Sequence, residues 1–194
     1  MRAAAGLFIM GIVLAGCSLV PTSKTPQLIA PKQVGLSLLG KTIPGTNNGR
    51  VRFISVPVYI VDATGHLSAS SRIVPSPPVL ESVLRQLIIG PTTIESQAGY
   101  TSALPKSLII LSASFRGGIG YIDLGSSLSK LPRGQEVLAV GQMTLTSHVV
   151  GLTLGIADRG IEITVAGVAQ DSPIPGGRQA NLVTNQDFQN LLNS

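Results

Sequence analysis

The sequence predicts an α+β fold, in which hairpins of antiparallel strands form a sheet and two helices pack on one of its faces. Three observations lead to this prediction. Runs rich in Val, Ile and Leu occur in pairs separated by short glycine-containing turns, which is typical of β-hairpins. Two longer segments place apolar residues at helical spacing. The segments follow the order hairpin, helix, hairpin, helix, hairpin, which indicates a two-layer sandwich.

The first hairpin and the first helix are predicted from residue 51 onward. Val51 to Val61 is rich in β-branched residues, and Pro57 within it favours an edge strand or a bulge. A turn at Asp62-Ala63-Thr64-Gly65 leads to a second strand from His66 to Val74. Gly90-Pro91 ends the helix that follows, because glycine accepts a left-handed conformation and proline cannot continue a helix. The apolar stripe of this helix consists of Val79, Leu80, Val83, Leu84, Leu87 and Ile88.

A polar loop from Thr92 to Pro105 separates the first helix from the second half of the domain. Strands are predicted from Leu108 to Phe115 and from Gly118 to Leu124, and after a loop from Ser126 to Arg133 a second helix follows Pro132-Arg133-Gly134. Gly151 is expected to end that helix. Its predicted buried stripe consists of Val137, Val140, Gly141, Thr144, Leu145 and His148.

A third hairpin is expected to complete the domain. Its strands run from Leu152 to Ala157 and from Ile161 to Val165, around a turn at Asp158-Arg159-Gly160. The predicted domain therefore covers residues 51–166. Residues 167–194 form a tail whose apolar side chains can fold back on the domain, namely Phe188, Leu191 and Leu192.

The N-terminus has the composition of an export signal. Arg2 precedes an apolar run from Leu7 to Ala15, which is too short to cross a bilayer as a helix. Cys17 is the only cysteine of the 194 residues, and it follows Leu14, Ala15 and Gly16. This arrangement resembles a bacterial lipobox, which implies cleavage after residue 16 and attachment of diacylglycerol to Cys17, with palmitate-like acyl chains holding the protein to a membrane. The alternative is an ordinary or uncleaved export signal with an incidental cysteine.

Residues 17–50 are predicted to form a flexible, basic tether because they are rich in proline and lack a sustained periodicity. Its root-mean-square span as a coil is about 30 Å. No acid occurs from Ser18 to Pro57, which suits an anionic membrane surface, although such widely spaced bases also serve solubility alone. The bases of this stretch are Lys24, Lys32, Lys41, Arg50 and Arg52.

The overall composition argues against nucleic-acid binding and against a bound cofactor. The net charge is +5, but the basic residues form no dense stripe, and aromatic residues make up only 4% of the chain. Gly117-Gly118-x-Gly120 lies between two strands with no helix after it, so it indicates a hairpin turn and not a phosphate-binding loop. We therefore expect no cofactor and no nucleic-acid partner.

Catalytic and metal-binding patterns are equally weak. His66 and His148 are far apart in sequence, and Cys17 is committed to the lipid, so no metal site is expected. No Gly-x-Ser-x-Gly motif supports a serine nucleophile, although His148 and Asp123 can in principle meet. The remaining acids show no spacing typical of a paired-carboxylate site. These acids are Glu95, Asp123, Glu136 and Glu162, of which Asp123 is the first choice for mutation.

The combined pattern resembles the GerMN domain of the sporulation and spore germination family. The residues that carry the resemblance are Leu87-Ile88-Ile89-Gly90-Pro91, Gly99 to Pro105, Tyr121-Ile122-Asp123-Leu124, Gly134-Gln135-Glu136, Gln142 and Thr144-Leu145-Thr146. The resemblance covers about residues 51–166 and implies a small module similar to ring-building motifs, in proteins that are typically exported and membrane-attached. It supplies no catalytic residues.

The sequence thus predicts a non-catalytic lipoprotein of the cell envelope, anchored to the cell membrane by Cys17 and facing the extracytoplasmic side. Its expected role is to bind another envelope protein or a second copy of itself, because a sheet edge offers backbone pairing to a partner. The alternative is an envelope protein that binds a small molecule or a cell-wall polymer beside the loop from Thr92 to Pro105.

Overall fold

The computed structural model describes residues 51–192 and confirms the α+β fold. Cys17, the lipobox and the predicted tether lie outside the described residues. The main strands are β1 (Phe53–Val61), β2 (Leu67–Pro75), β3 (Ile110–Arg116), β4 (Ile119–Leu124) and β5 (Gly160–Val165). The α-helices are α1 (Leu80–Ile89), α2 (Thr93–Gln97) and α3 (Arg133–Thr153). The short strands are β6 (Val168–Ala169), β7 (Ser172–Pro173), β8 (Gln179–Ala180) and β9 (Leu182–Val183), and 3-10 turns occur at Leu128–Lys130, Pro175–Gly177 and Asn185–Leu191.

Strands β1 and β2 form the first predicted hairpin, paired in register from Phe53 opposite Pro75 to Val61 opposite Leu67. Every second residue of β1 faces the core, since Val56, Val58 and Ile60 are buried. Pro57 lies on the other face, and its nitrogen points away from β2, as do the amides of Tyr59 and Val61, which bond to Thr146 and Thr101. The missing N–H of this proline therefore removes no bond of the ladder.

The second sheet has the order β3-β4-β5-β6, with β9 also paired to β5. Strands β3 and β4 form the predicted second hairpin, whereas β4 and β5 are parallel. The expected third hairpin is therefore wrong: its predicted first strand, Leu152 to Ala157, is not a strand, because α3 continues to Thr153 and a turn and loop follow. A parallel neighbour requires a crossover connection, and α3 supplies it.

The end of α3 differs from the prediction and shows why the third hairpin does not form. Gly151 does not end the helix but is buried within it, where a side chain would meet the Phe115 ring at 3.5 Å. The helix continues to Thr153, and the chain leaves it through Gly155, whose φ is +69°. Such a left-handed residue after the last turn is the usual role of glycine at a helix C-terminus.

The helices pack against both pairs of strands. Helix α1 contacts β1 and β3, while α3 contacts α1, β1 and β5. The predicted loop from Thr92 to Pro105 contains the short helix α2, which begins with a capping box between Thr92 and Glu95. The largest fully buried apolar side chains are Phe188, Ile60, Leu67, Leu84, Leu87, Ile110, Ile122, Leu124, Met143 and Ile161.

The C-terminal segment packs on α3. Phe188 is fully buried, and Leu192 forms a backbone bridge with Leu67. Gly141 of α3 makes room for this packing, because a side chain there would approach Phe188 and Leu67 to 2.8 Å. Within residues 51–192, no helix has the combination of length and apolar character needed to cross a membrane.

Candidate functional site

Asp123 hydrogen-bonds the end of β4 to β5 and to the turn that follows it. Its Oδ1 accepts a hydrogen bond from the Thr164 hydroxyl at 2.7 Å and another from the Gly167 amide at 2.9 Å. The Gly167 amide, followed by the Thr164 hydroxyl, lowers the pKa of Asp123 below its usual value. These contacts indicate a structural role for the acid that was the first choice for mutation.

His148 does not meet Asp123 but pairs with Asp158 in the loop after α3. His148 Nδ1 lies 2.7 Å from Asp158 Oδ2, and Nε2 lies 3.4 Å from the Asn185 amide nitrogen. The imidazole therefore links the end of α3, the following loop and the C-terminal segment. It is also partly exposed, at 26%, instead of fully buried in the helix stripe as predicted.

Glu95 forms a bidentate ion pair with Arg72, an arginine that the sequence reading did not single out. Arg72 Nη1 and Nη2 donate to the two carboxylate oxygens at 2.8 and 2.9 Å, and Ser70 donates a further hydrogen bond. The Arg72 guanidinium is the main cause that lowers the pKa of Glu95 to about 2. Because Arg72 is 9% and Glu95 16% exposed, this pair ties β2 to α2 below the surface.

Glu136 lines a cavity of about 410 Å³ at the N-terminal end of α3. Its carboxylate is 11% exposed and approaches the Arg133 guanidinium at 3.4 Å. Asp171, Ser172 and Gln179 also line this cavity. A cavity of this size with polar walls can hold a small polar molecule.

A second cavity, of about 400 Å³, lies beside the predicted binding loop. Ile88, Tyr100, Ser102 and Lys106 are among the residues that line it. The Ser102 hydroxyl donates to the Leu87 carbonyl at 2.7 Å, so this polar group serves the end of α1. The loop therefore borders a cavity, as a binding loop can, but its best-placed hydroxyl is already used internally.

The other candidate residues are separated from these cavities. His66 belongs to the β1–β2 turn, where its Nδ1 lies 2.9 Å from the Thr64 hydroxyl, and Glu162 stands opposite Tyr121 and Leu182 in the second sheet. Among residues 51–192, no group of three or more His, Cys, Asp or Glu side chains could hold a metal ion.

Strand β3 offers an edge that carries no charged side chain before its last residue, Arg116. It is the first strand in the order of its sheet, and residues 109–115 carry no charge. A register shift between Ile110 and Ser112 leaves Leu111 out of the pairing with β4, and its side chain is 51% exposed. An uncharged edge strand with exposed apolar side chains can pair with a strand of another chain.

The sequence reading also missed the side chains that bind the edge of β1. Gln142 accepts from the Ala103 amide at 2.7 Å and donates to the Tyr59 carbonyl at 2.8 Å, and the Tyr59 amide donates to Thr146 at 3.0 Å. The sequence signal that could have identified these side chains is that Gln142 and Thr146 are polar residues one helical turn apart on an otherwise apolar helix face. Arg72 could similarly have been placed inward from its alternation with Val74.

Comparison with known protein families gives a match over most of the described domain. A family model described as sporulation and spore germination matches residues 57–171. A search of curated proteins finds no match.

Two solved structures align with the described domain. The tandem GerMN domains of the sporulation protein GerM from Bacillus subtilis align with a TM-score of 0.52 and 16% identity, over 69% of this chain and 47% of that chain. The chain therefore spans about half the length of that structure. The first GerMN domain of the same protein aligns with a TM-score of 0.49 and 14% identity, over 69% of this chain and 98% of that chain.

Proposed function

Because the chain belongs to the sporulation and spore germination family, we propose that it is a lipid-anchored, non-catalytic module that binds another protein in the cell envelope. Acyl chains on Cys17 hold it to the cell membrane on the extracytoplasmic side, and residues 18–50 connect the anchor to the domain. The observation that carries the proposal is the coincidence of a lipobox-like Leu14-Ala15-Gly16-Cys17 with a family domain that begins some forty residues later.

The use of the polar side chains supports a binding role over catalysis. Asp123, Glu95 and His148 each serve contacts between elements of the fold. Catalysis by acids and bases requires such groups within hydrogen-bond reach of a substrate position. Groups that are committed to holding strands and loops together are poorly placed for proton transfer.

The outer edge of β3 is the surface we assign to the protein partner. The Ile109 and Leu111 side chains are 58% and 51% exposed, and the backbone edge beside them can pair with an extended segment of the partner. Arg85 donates to the Ile110 carbonyl at 3.0 Å, so α1 borders the start of this edge. The partner segment would then run along β3 from Ser112 toward Phe115.

Site-specific photo-cross-linking in intact cells tests this assignment. A photoreactive residue at Leu111 is expected to give a discrete adduct with one envelope protein, identified by mass spectrometry. The same residue at Ile94, which is 79% exposed on α2, is the matched control and should not give that adduct. Equal adducts at both positions, or none at Leu111, would contradict a role for the β3 edge.

The cavity at the start of α3 favours a second candidate function, the binding of a small molecule or cell-wall polymer. Glu136 is the polar group that such a ligand would meet, because its carboxylate lines the cavity. In thermal-shift measurements, cell-wall fragments should then raise the melting temperature of the natural chain and of the control variant Glu162→Gln, but not that of Glu136→Gln. An unchanged melting temperature across the whole panel would remove this candidate.

A further inference from the structure

Exposed apolar side chains gather at the end of the domain where the described chain begins. We name this the leading end and define it by the start of β1, the end of β2 and the start of α1. The Arg52 carbonyl accepts from the Ser76 amide at 2.8 Å, which joins the start of β1 to the end of β2, and α1 begins shortly after this point at Leu80. The exposed apolar residues here are Val51, Phe53, Ile73 and Val79.

The C-terminus of α3 points to the same end. Gln142 binds the carbonyl of Tyr59, whereas Thr146, one turn further along the helix, binds its amide. Because the amide precedes the carbonyl in the strand, α3 runs opposite to β1. Leu152 and Leu154, which are also exposed, therefore extend toward the leading end.

The turn between β3 and β4 and the loop after α3 add arginines to this end. Leu80, at the start of α1, lies close to Gly120 of β4: a Cβ atom placed on Gly120 would be 3.7 Å from the Leu80 side chain. The Arg159 amide donates to the Gly118 carbonyl at 2.9 Å, which joins the turn to the loop. Arg52, Arg116 and Arg159 are exposed.

The carboxylates near this end are already paired. Glu81 forms an ion pair with Arg85 at 2.8 Å, and Asp158 lies 2.7 Å from His148. The leading end thus presents apolar side chains and three arginines, with its nearby acids engaged. Apolar side chains flanked by cations are the combination that binds anionic lipid surfaces.

We propose that the leading end rests on the anionic surface of the membrane that carries the lipid anchor. Phe53 and Ile73 enter the boundary between head groups and acyl chains, while the arginines contact lipid phosphates. The segment outside the described residues identifies the occupant: it joins the domain at this end, and it carries bases and the lipid-acceptor Cys17. This inference rests on the proposed anchoring, and it leaves the β3 edge to the protein partner.

Fluorescence quenching in proteoliposomes tests the inference, because the chain contains no tryptophan and one can be introduced as a reporter. The full-length protein carrying Phe53→Trp is purified from membranes and incorporated into vesicles of phosphatidylcholine and phosphatidylglycerol with brominated acyl chains. Emission from Phe53→Trp is expected to fall roughly twofold relative to vesicles without bromine, since the ring lies within the lipid boundary.

Val168→Trp is the matched control. Val168 is 63% exposed, close to the 62% of Phe53, and it follows the turn after β5. Strands β4 and β5 are parallel and β4 begins at the leading end, so this turn lies at the opposite end of the sheet. Its emission is expected to remain unquenched. Equal quenching of both reporters, or of neither, would overturn the inference.

Charge variants and intact mass separate the possible failures. Replacing Arg52 and Arg159 by Gln in the Phe53→Trp protein should reduce the quenching, as should vesicles of phosphatidylcholine alone. If brominated lipid leaves the Phe53→Trp emission unchanged and an added envelope protein shifts it equally in vesicles with and without bromine, the leading end is a protein interface and the inference is wrong. The intact mass of the protein reports independently whether Cys17 is acylated. A chain that is not acylated and not cleaved still has its apolar N-terminal segment, which can hold it to the vesicle. The difference in quenching between Phe53→Trp and Val168→Trp therefore tests the docking even if the proposed lipid anchor is wrong.

Discussion

At the scale of single residues, two polar side chains of α3 bind the backbone edge of β1. Gln142 is fully buried and binds both the Ala103 amide and the Tyr59 carbonyl, while Thr146 accepts from the Tyr59 amide. These bonds complete the pairing of an edge that β2 does not reach. They also give a physical reason for the glutamine and threonine in the family-like pattern of this helix.

Replacing Gln142 by Leu should therefore destabilise the domain despite keeping a similar volume. The change leaves a buried amide and a buried carbonyl without partners, which costs about 2–4 kcal/mol. Urea unfolding measures this loss. Replacing the exposed Gln189 by Leu is the control and should change the free energy of unfolding by less than about 0.5 kcal/mol. Equal stability of the natural chain and Gln142→Leu would show that water or rearrangement satisfies these groups.

The Arg72–Glu95 pair predicts a dependence of stability on pH. The pKa of Glu95 falls from its ordinary value of 4.5 to about 2 in the folded chain. The ionised carboxylate therefore contributes its full stabilisation above pH 4.5, and this contribution is lost as the pH falls toward 2. After allowance for solvent screening, the contribution is about 1–2 kcal/mol.

Unfolding curves measured at several pH values between 6 and 2 test this prediction. The Glu95→Gln variant should be less stable than the natural chain near pH 6, and the difference should shrink at low pH. Glu81→Gln, which removes a more exposed acid, is the control and should change the profile little. A constant difference between Glu95→Gln and the natural chain at all pH values would contradict the assigned role of the carboxylate.

At the scale of secondary-structure elements, the sequence pattern predicted correctly those strands and helices whose conformation depends on neighbouring residues in the chain. The hairpin of β1 and β2 and the helix that ends at Gly90-Pro91 follow from alternation, helical spacing and a terminating glycine. The last hairpin was predicted wrongly because Leu152 and Leu154 alternate as in a strand. Packing decides this case: Gly151 fits against Phe115 inside the helix, and that contact is not visible in the sequence.

The candidate site was less predictable than the fold for the same reason. His148 was placed in the buried stripe of α3, whereas its partner Asp158 is brought to it by the loop after the helix. The partner of Glu95 is an arginine more than twenty residues away, on β2. Neither pairing has a local signal, because both depend on how separate elements meet.

Two glycines of α3 provide a matched test of its packing. A methyl group at Gly141 would lie 2.8 Å from both Leu67 and Phe188, whereas one at Gly134 meets nothing within 4 Å. Gly141→Ala should destabilise the domain by about 1–3 kcal/mol through overpacking. Gly134→Ala should be neutral or stabilise by up to about 1 kcal/mol, because alanine favours the helix. Urea unfolding of both variants measures the contrast, and similar values for the two would contradict the contact between α3 and the C-terminal segment.

At the scale of the whole molecule, the proposals assign different surfaces to different partners. The leading end, with Phe53 and Ile73, is assigned to the lipid surface, while the edge of β3 is assigned to a protein. Leu111 lies near the start of β3, whereas the leading end includes the opposite end of that strand at Arg116, so the two surfaces use different ends of β3. Anchoring through Cys17 would restrict the domain to the membrane surface and raise its local concentration for a partner there.

The central claim is that the chain is a lipoprotein, and the intact mass of the protein purified from membranes tests it most directly. The account predicts a mature chain that begins at Cys17 and carries the added mass of a diacylglycerol, with or without a further acyl chain. The Cys17→Ser variant should lack this added mass and should no longer be processed at that site. A natural chain that retains residues 1–16, or that begins elsewhere with an unmodified thiol, would contradict the account.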